Sequence, residues 1–549
     1  MDEVKIGVFI CNCGDTISKS VDLLDIRARL EKLADVALVS IGHDLCSPQA
    51  QQAIRKDIID NGINRVVIAA CSPQLYGDAL ANLVEKAGLN RHLLSVANIR
   101  EQCSWVHPDK DKATKKAMVQ IRMAVDKVRL QDVVEQAEVE VYKDVLVIGG
   151  GIVGMEVAIE LSNLNLRTTL IEKEANLGGR LKQFAALYPL QVTPEEMLTS
   201  RLKQVTGSEN IDVLTSAGLK DLSGEVGNFT AKIRKGNKEI SRNFGAIILA
   251  TGYETLFLDK VYGFELGNNI ITQSQLEGML KSPGEIKKIP QSVGFVFDIC
   301  DEHSRISTLS TLRNALVIKE RFGSEVYVLC RNLQVDGAGL EKLYQDVRNK
   351  GVIFFKFERF PKILRENGKI NIQVEDLSMA REQVMLSCNL LVVEEKVVPH
   401  QDFATLESML NIGLGPRDFY QEDNVHLYPT SSTKSGIFFA GNCHQDLDLG
   451  RALTDASNAA SEAYQLISSG KMRVEVERVV VDPDKCALCL TCLRFCPHDA
   501  IRIDYEKKAA HILDLACQGC GICAAVCPAK AIKFKDWSDD QILAELEVV

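Results

Sequence analysis

The sequence predicts an α/β protein of three domains, and three observations lead to this prediction. Short β-branched runs alternate with longer amphipathic segments up to about residue 135, as in parallel strands joined by helices. A strand followed by a glycine-rich turn then opens a second α/β unit. Finally, eight cysteines form two short repeats near the C-terminus. The expected boundaries are 1–140, 141–470 and 471–549, and the last domain ends in a small acidic tail.

The first domain is expected to be a covered parallel sheet. Its strand candidates are the β-branched runs at 4–10, 36–41, 65–70 and 92–99. A helix with one apolar face is expected from Asp109 to about Arg129, where it closes the domain.

The middle domain is expected to contain an inner subdomain at about 285–400. The turn-rich segment Lys281–Pro290 marks its start. The later strand GIFFAGNC (436–443) belongs to the outer part.

Composition limits the classes of partner. The chain has 549 residues, with 64 basic and 74 acidic side chains and a formal net charge of −10, which disfavours nucleic acid as a ligand. Neither a signal peptide nor an apolar run of membrane-spanning length is found. Seventeen cysteines in clusters favour metal sites in a reducing cytoplasm. We therefore expect proteins and small redox molecules as partners.

The C-terminal cysteines repeat the spacing that ligates two [4Fe–4S] clusters in bacterial ferredoxins. In this pattern the fourth cysteine of each run ligates the other cluster. The first expected set is Cys486, Cys489, Cys492 and Cys527, and the second is Cys517, Cys520, Cys523 and Cys496. Zinc is the alternative for paired CxxC motifs, but it does not explain the third cysteine or the trailing Cys-Pro in both copies. The sequence therefore predicts a two-cluster ferredoxin domain of α+β type.

A dinucleotide fingerprint follows the strand DVLVIG. Gly149, Gly151 and Gly154 allow a tight turn, close approach of a pyrophosphate and helix–strand packing. Glu172 ends the next strand, where an acid suits a ribose hydroxyl, and Lys173 follows it. The alternative is a glycine-rich turn without a ligand.

Three further segments resemble motifs of two-dinucleotide flavoproteins such as thioredoxin reductase, in which all three contact FAD. They contribute Gly179, Arg180, Thr251, Gly252, Gly441 and Asn442. Asn442 stands where that family usually has Asp, and it still offers an acceptor and a donor.

The inner subdomain is the expected place for NAD(P)H, but its first strand, SVGFVFDIC, is followed by DEHSRIST without a GxGxxG motif. Side chains there would block the approach of a pyrophosphate. We therefore expect no nicotinamide nucleotide in this subdomain. The CxxC redox pair of thioredoxin reductases is also missing near the flavin motifs.

Five N-terminal cysteines follow the ends of the four predicted strands. They are Cys11, Cys13, Cys46, Cys71 and Cys103. Because the carboxyl ends of parallel strands share one edge of the sheet, we expect these thiols to meet there and to bind a third iron–sulfur cluster. Small buried core cysteines are the alternative. The spacing does not decide which four of the five are ligands.

Some other candidates are expected to be structural. His107 and His444 are most simply surface or loop residues with a local hydrogen bond, although each could be a ligand or a proton donor. Four cysteines in or near apolar strand patterns are expected in the core: Cys300, Cys330, Cys388 and Cys443.

With these motifs together, the chain resembles the HdrA family, the flavin-containing iron–sulfur subunits of heterodisulfide reductase, over nearly its whole length. The strings GVFICNCG, AACSP, ANIREQCSWVH, VIGGGIVGMEVAIEL, EVYVLCRN and the ferredoxin region carry the resemblance. It implies an oxidoreductase of anaerobic metabolism with FAD in a thioredoxin-reductase-like domain and a cluster on the N-terminal cysteines. The implied partners are B- and C-like subunits and hydrogenase- or dehydrogenase-linked subunits of a cytoplasmic complex. The resemblance also allows ferredoxin as a partner and a homodimer. In that family the flavin is proposed to bifurcate electron pairs.

One departure affects this expectation. Methanogen members usually carry another ferredoxin module just before the strand GAIILATGYE, together with cysteines after the GGR motif. Here IRKGNKEISRNFGAIILATG runs straight through. The usual electron-transfer path for bifurcation therefore lacks one of its cluster-bearing modules. The first alternative is a quinone-interacting oxidoreductase subunit without bifurcation, and the second is a stand-alone NAD(P)H oxidoreductase.

Overall fold

The computed structural model describes residues 3–188, 192–267, 269–282, 284, 289–298, 304–366 and 368–548. These residues form two compact units. One contains the chain up to Glu138 and again from Arg473, and the other is Val139–Met472. The N-terminal and C-terminal regions, which the sequence divides into separate domains, thus share one unit. Among the described residues, none of the helices combines the length and apolarity needed to cross a bilayer.

The N-terminal region is built on a four-stranded sheet in which every pairing is parallel. In spatial order the strands are Val36–Gly42, Ile6–Cys11, Arg65–Ala70 and Leu94–Asn98. The second of these is buried along its whole length, since helices cover both faces of such a sheet. The loops after all four strands therefore lie at one edge.

Four helices connect and cover this sheet: Leu23–Leu30, Pro48–Asp60, Pro73–Lys86 and Lys110–Arg129. Each has an Asp or Ser N-cap whose side chain accepts a backbone N–H of the first turn. The predicted helix from Asp109 to about Arg129 agrees with the fourth helix, for which Asp109 is the cap. A π-helical turn, Arg100–Ser104, follows the last strand.

The C-terminal region contains two small antiparallel pairs of strands. They are Val479–Val481 with Ile532–Phe534, and Ile501–Asp504 with Ala509–Ile512. Two short helices, Thr491–Phe495 and Ile522–Ala525, each lie within one of the cysteine runs. The acidic C-terminal residues form a helix, Asp539–Leu546, which packs against the helix Lys110–Arg129 of the same unit.

The outer part of the second unit is a seven-stranded sheet. Its strands, in spatial order, are Glu422–Asn424, Tyr428–Ser432, Ile437–Phe439, Ala246–Leu249, Val145–Ile148, Thr168–Glu172 and Ile211–Thr215. The last five are parallel, and the first two add antiparallel edge strands. Two helices that pack against each other, Ile152–Asn163 and Leu449–Ile467, cover the parallel part. Three further elements belong here: the helices Pro194–Gly207 and Phe403–Leu410 and the antiparallel sheet Lys238–Phe244, Phe229–Lys235 and Ala217–Ser223.

The inner part of this unit has its own five-stranded parallel sheet. The strands, in spatial order, are Ile270–Thr272, Leu390–Val393, Ser292–Phe297, Glu325–Cys330 and Ile353–Lys356. Its helices are Gln273–Lys281, Arg305–Phe322 and Leu340–Asn349. An antiparallel sheet of Lys362–Glu366, Lys369–Asp376 and Glu382–Cys388 joins it, and Tyr253–Leu256 pairs with Lys396–Pro399. The inner sheet thus begins at Ile270, before the turn-rich segment that was expected to open it.

A charged network joins the two chain segments of the first unit. His92 Nε2 lies 2.8 Å from Glu475 Oε1, and His92 Nδ1 lies 3.6 Å from Asp536 Oδ2. Arg478 contacts both carboxylates, at 2.8 Å and 2.7 Å. Burial lowers the pKa of His92, but its hydrogen bonds to Asp536 and Glu475 outweigh burial and raise it. For Asp536 the signs are reversed. Burial raises the pKa of this carboxyl group, but the hydrogen bonds from His92 and Arg478 outweigh burial and lower the pKa to about 2.

This network makes the stability of the first unit depend on pH. Because the folded-state pKa of His92 is raised, its contribution is complete below pH ~6.5 and is lost as the pH rises through the folded pKa. Asp536 has the opposite sign, so its contribution holds above pH ~4 and is lost toward pH 2. We expect His92→Gln to remove about 1.5 to 3 kcal/mol of stability at pH 6, the usual value of a hydrogen bond to a charged group, and less at pH 9.

The measurement is thermal unfolding of the full chain between pH 6 and pH 9. From pH 6 to pH 9, the melting temperature of the first unit should decrease by more in the wild type than in His92→Gln. His511→Gln, at an exposed position, is the control and should follow the wild type. Parallel profiles for the wild type and His92→Gln would show that His92 contributes no protonation-linked stability.

Candidate cofactor sites

The three glycines after the strand Val145–Ile148 have different structural roles. Gly149 has φ +113°, and a Cβ there would lie 2.3 Å from the carbonyl oxygen of Ala250. A Cβ on Gly154 would lie 1.8 Å from the carbonyl oxygen of Gly149, so this glycine lets the helix pack on the strand. A Cβ on Gly151 would meet nothing within 4 Å. Only Gly151 therefore leaves open space at the helix N-terminus, which is where a phosphate can bind.

Glu172 holds this glycine loop in place. Its Oε2 accepts the Gly150 amide at 2.6 Å, and its Oε1 accepts the Glu174 amide at 2.8 Å. The buried carboxylate therefore stabilises the loop itself, a role that the sequence pattern does not predict. Each oxygen retains a second lone pair, so the carboxylate can still accept a hydroxyl.

The GGR motif lies against the glycine loop. The Gly178 amide donates to the Gly150 carbonyl at 2.8 Å, and a Cβ on Gly179 would lie 3.1 Å from the Cα of Gly151. The guanidinium carbon of Arg180 lies 4.5 Å from the ring centroid of Tyr253. Within the described part of the chain, the buried Nε of Arg180 has no hydrogen-bond partner.

These elements surround a cavity of about 580 Å³. Nine of the eleven predicted dinucleotide-site residues line it: Gly149, Gly151, Glu172, Lys173, Gly179, Arg180, Thr251, Gly252 and Asn442. The other two do not: Gly154 packs helix on strand, and the Gly441 amide donates to Asp455 Oδ2 at 3.0 Å. The volume is typical of small-molecule sites. With the open space at Gly151 and the unpartnered Arg180 Nε, these residues fit a dinucleotide.

Two polar groups near this cavity are buried in ion pairs that the sequence pattern does not predict. His444, expected as a surface or loop residue, has a fully buried side chain between two carboxylates. Burial lowers its pKa, but the hydrogen bonds to Asp455 and Glu422 prevail and raise it. Arg313, which lines the cavity, forms a buried ion pair with Glu277. Partners so distant along the chain leave no local motif, so sequence reasoning could not find these pairs.

The C-terminal cysteines line two separate small cavities. Cys486, Cys489, Cys492 and Cys527 line one, and Cys496, Cys517, Cys520 and Cys523 line the other. The crossed sets expected from the spacing are therefore brought together in space. Backbone amides donate to three of the sulfurs: Ala531 to Cys527 at 3.3 Å, Ala500 to Cys496 at 3.4 Å and Ala510 to Cys486 at 3.5 Å. Such hydrogen bonds are one means of setting cluster potentials.

The N-terminal cysteines are less uniform in their surroundings. Cys11 is buried at a strand end, and Cys46 is exposed. Cys13 lies close enough to influence the pKa of both Cys11 and Cys71, and its sulfur accepts a hydrogen bond from Arg100 Nη1 at 3.0 Å.

The fifth thiol, Cys103, is fully buried and donates to the carbonyl of Ala113 at 3.0 Å, in the helix Lys110–Arg129. Among the described residues, no three His, Cys, Asp or Glu side chains come together as ligands of a single metal ion. The Cys103 thiol therefore has its own hydrogen bond to a backbone carbonyl, and the described residues do not bring three of the N-terminal thiols within reach of one metal ion.

The remaining candidates have structural surroundings. Cys330, Cys388 and Cys443 are buried, as expected for core residues, whereas Cys300 lies outside the described residues. His107 Nδ1 lies 3.0 Å from the carbonyl oxygen of Cys103, which is a local contact.

The described sites define the class of protein, an oxidoreductase with a dinucleotide domain and a ferredoxin-type module. A family model described as a pyridine nucleotide-disulphide oxidoreductase matches residues 119–278. A second, described as a 4Fe-4S dicluster domain, matches residues 478–528.

Relatives extend this similarity to the whole chain. An A-type iron-sulfur subunit of CoB–CoM heterodisulfide reductase from Methanopyrus kandleri is 29% identical over 660 aligned positions, covering 100% of this chain and 98% of that protein. The corresponding A-type subunit from Methanocaldococcus jannaschii is 29% identical, covering 99% and 98%. The chain is therefore homologous to the A-type subunits of heterodisulfide reductase, and the resemblance predicted from its motifs is confirmed.

The aligned length exceeds the 549 residues of this chain, so the Methanopyrus protein carries segments that this chain lacks. Among solved structures, Lactococcus lactis thioredoxin reductase matches 60% of this chain and 100% of its own, with 19% identity and a TM-score of 0.42.

The glycine geometry predicts different outcomes for two alanine variants. Gly151→Ala should fold normally, because the Gly151 φ of −70° suits alanine and nothing lies within 4 Å of the new Cβ. It should weaken FAD binding at least tenfold, which is about 1.4 kcal/mol, because the methyl group enters the cavity. Gly154→Ala should instead destabilise the fold, because its methyl collides with a backbone oxygen. Thermal unfolding of the flavin-free chain and FAD titration measure the two effects separately.

The control is Gly207→Ala, at a helix end outside the cavity with nothing within 4 Å of its Cβ, which should change neither quantity much. FAD binding by Gly151→Ala with wild-type affinity would contradict the assignment of the helix N-terminus to the phosphate.

Proposed function

We propose that the chain is an FAD- and iron–sulfur-dependent electron-transfer subunit of a heterodisulfide-reductase-like complex. One observation carries this proposal, namely that a single chain has both a dinucleotide cavity and two four-cysteine groups in the crossed ferredoxin arrangement. Full-length homology to subunits named for heterodisulfide reductase supports it.

The chain's residues have distinct roles in this proposal. The amides at the start of the helix Ile152–Asn163 would hold the pyrophosphate, and Glu172 would orient the loop and accept a ribose hydroxyl. Arg180 and Asn442 would contact other parts of the cofactor from the cavity wall. When bound, FAD exchanges electrons singly or in pairs, whereas each iron–sulfur cluster carries one electron at a time.

The two cysteine groups would hold one [4Fe–4S] cluster each. We further propose a third cluster on the N-terminal cysteines, with Cys11, Cys13, Cys46 and Cys71 as its ligands. Cys103 fits less well because its thiol already donates to a backbone carbonyl of a neighbouring helix. The Arg100 guanidinium would lie beside the cluster through its hydrogen bond to Cys13. Free thiolates require a reducing compartment, so we propose a cytoplasmic complex.

Electron donors and acceptors are then expected among the partner proteins. We propose that NAD(P)H is not one of them, because the strand Ser292–Phe297 is not followed by a GxGxxG motif. B- and C-like subunits, hydrogenase- or dehydrogenase-linked subunits and ferredoxin remain the proposed partners. A homodimer is compatible with this assignment.

Electron bifurcation is the second candidate function. A relative from Methanothermobacter marburgensis is named as the A-type subunit of an H(2):CoB-CoM heterodisulfide,ferredoxin reductase, and that name contains two acceptors. The segment IRKGNKEISRNFGAIILATG, which contains no inserted ferredoxin module, favours a relay without bifurcation, as in quinone-interacting oxidoreductase subunits. Potentiometry distinguishes the two, because bifurcation predicts strongly crossed one-electron potentials of the flavin and a simple relay predicts closely spaced, ordinary ones.

The proposed function predicts how the anaerobically purified chain responds to electron donors. NADH and NADPH should leave its flavin absorbance unchanged, whereas reduced ferredoxin should bleach it within the same assay. The control is the flavin-weakened variant Gly151→Ala, in which the ferredoxin-dependent flavin signal should fall in proportion to its FAD content. Complete bleaching by NADH would support a stand-alone NAD(P)H oxidoreductase and contradict the proposal.

A further inference from the structure

A buried chain of three charged side chains lies next to the segment that borders the cofactor cavity. His444 Nδ1 is 2.7 Å from Glu422 Oε1, and His444 Nε2 is 2.6 Å from Asp455 Oδ2. The His444 side chain has no exposed surface, and those of Glu422 and Asp455 are 6% and 13% exposed. Glu422 begins an edge strand, and Asp455 lies on the helix Leu449–Ile467, so the imidazole links two elements of the fold.

The hydrogen bonds of the Glu422–His444–Asp455 trio require one proton more than a neutral imidazole between two carboxylates would have. A neutral imidazole has one donor and one acceptor nitrogen, whereas ionised carboxylates only accept. With a carboxylate at each ring nitrogen, a neutral imidazole would place a lone pair against a carboxylate lone pair at hydrogen-bond distance. The trio is therefore best satisfied as an imidazolium between two carboxylates, with a net charge of −1. Losing one member would leave an unpaired buried charge, which is strongly unfavourable.

The same trio holds the backbone beside the cavity. Asp455 Oδ2 accepts both His444 and the Gly441 amide, the latter at 3.0 Å. Gly441 has φ +71° and approaches Val153 of the glycine-loop helix so closely that a Cβ would lie 2.9 Å from its side chain. The next residue, Asn442, lines the cavity.

The segment also reaches the inner subdomain. Asp446 accepts the backbone amides of Arg305 and Ile306 at 3.1 and 3.2 Å, at the start of the helix Arg305–Phe322. Ile306 itself lines the cavity. The segment 441–446 therefore connects two walls of the cavity, and His444 lies in its middle.

We propose that His444 is a positioning residue for the flavin, which acts through Asp455 to hold the Gly441–Asn442 backbone against the cofactor and contributes a fixed buried charge beside it. The proposal rests on the proposed flavin site. It assigns a function to the Glu422–His444–Asp455 chain, whose members do not line the cavity themselves.

The test compares His444→Gln with the double variant Glu422→Gln/His444→Gln. A glutamine at 444 can donate to Asp455, but its oxygen then faces the Glu422 carboxylate, and the trio has a net charge of −2. The second substitution supplies a donor to that oxygen and restores the charge to −1. His426→Gln, at an exposed position near the same edge strand, is the control.

The readouts are the FAD dissociation constant and the flavin midpoint potential of the full chain. We expect His444→Gln to raise the dissociation constant at least tenfold and to bind reduced FAD a further tenfold less tightly than oxidised FAD. That tenfold difference lowers the two-electron potential by about 30 mV. The double variant should recover to within about threefold of the wild type, which is about 0.7 kcal/mol. The control should match the wild type in both readouts.

A purely structural role for His444 would lower the melting temperature and leave both flavin readouts unchanged, and this result would overturn the proposal. If His444→Gln does not fold, Asp455→Asn and Glu422→Gln replace it. The proposal then requires the Asp455 variant to weaken FAD more, since only Asp455 contacts Gly441, and equal effects would overturn it. Absence of FAD binding by the wild type would instead refute the proposed function.

Discussion

The structure depends on one constraint of parallel sheets, which is that all their strands end at the same edge. In the second unit Gly149 and Lys173 line the cavity immediately after the last residues of their strands. Thr251 and Asn442 line it shortly after the strands Ala246–Leu249 and Ile437–Phe439. In the first unit the N-terminal strands place Cys11 at a strand end and the other four cysteines after the strands. Both arrangements concentrate chemistry in loops held by buried strands, where backbone positions are fixed by the sheet.

Much of this organisation could be predicted because the signals are local. The crossed cysteine sets follow from two short spacings, and the structure brings the same sets to two cavities. The glycine fingerprint is local in part. Gly154 avoids a collision with the carbonyl of Gly149 in the adjoining turn, whereas Gly149 avoids one with Ala250 of a neighbouring strand segment that is distant in sequence. A short-range constraint such as that on Gly154 can be recognised in the sequence because it determines which residue type occupies the position.

The remaining features arise from contacts between distant residues. Glu172 was expected only as a ribose acceptor, yet its oxygens already accept two backbone amides of the loop. The sequence predicts a loop residue at His444, because its partners Glu422 and Asp455 belong to other elements and leave no local pattern. The union of the N- and C-terminal regions in one unit likewise depends on contacts such as His92–Glu475, which no local pattern records. Tertiary burial rather than propensity decides these roles.

The central claim is that one polypeptide holds a flavin together with iron–sulfur clusters. The most direct measurement is the iron, zinc and flavin content of the full chain purified without oxygen. The account predicts one FAD and about eight iron atoms for the two C-terminal clusters, with about four more for the N-terminal site, and no zinc. A colourless preparation, or zinc in place of iron at the cysteine groups, would contradict it.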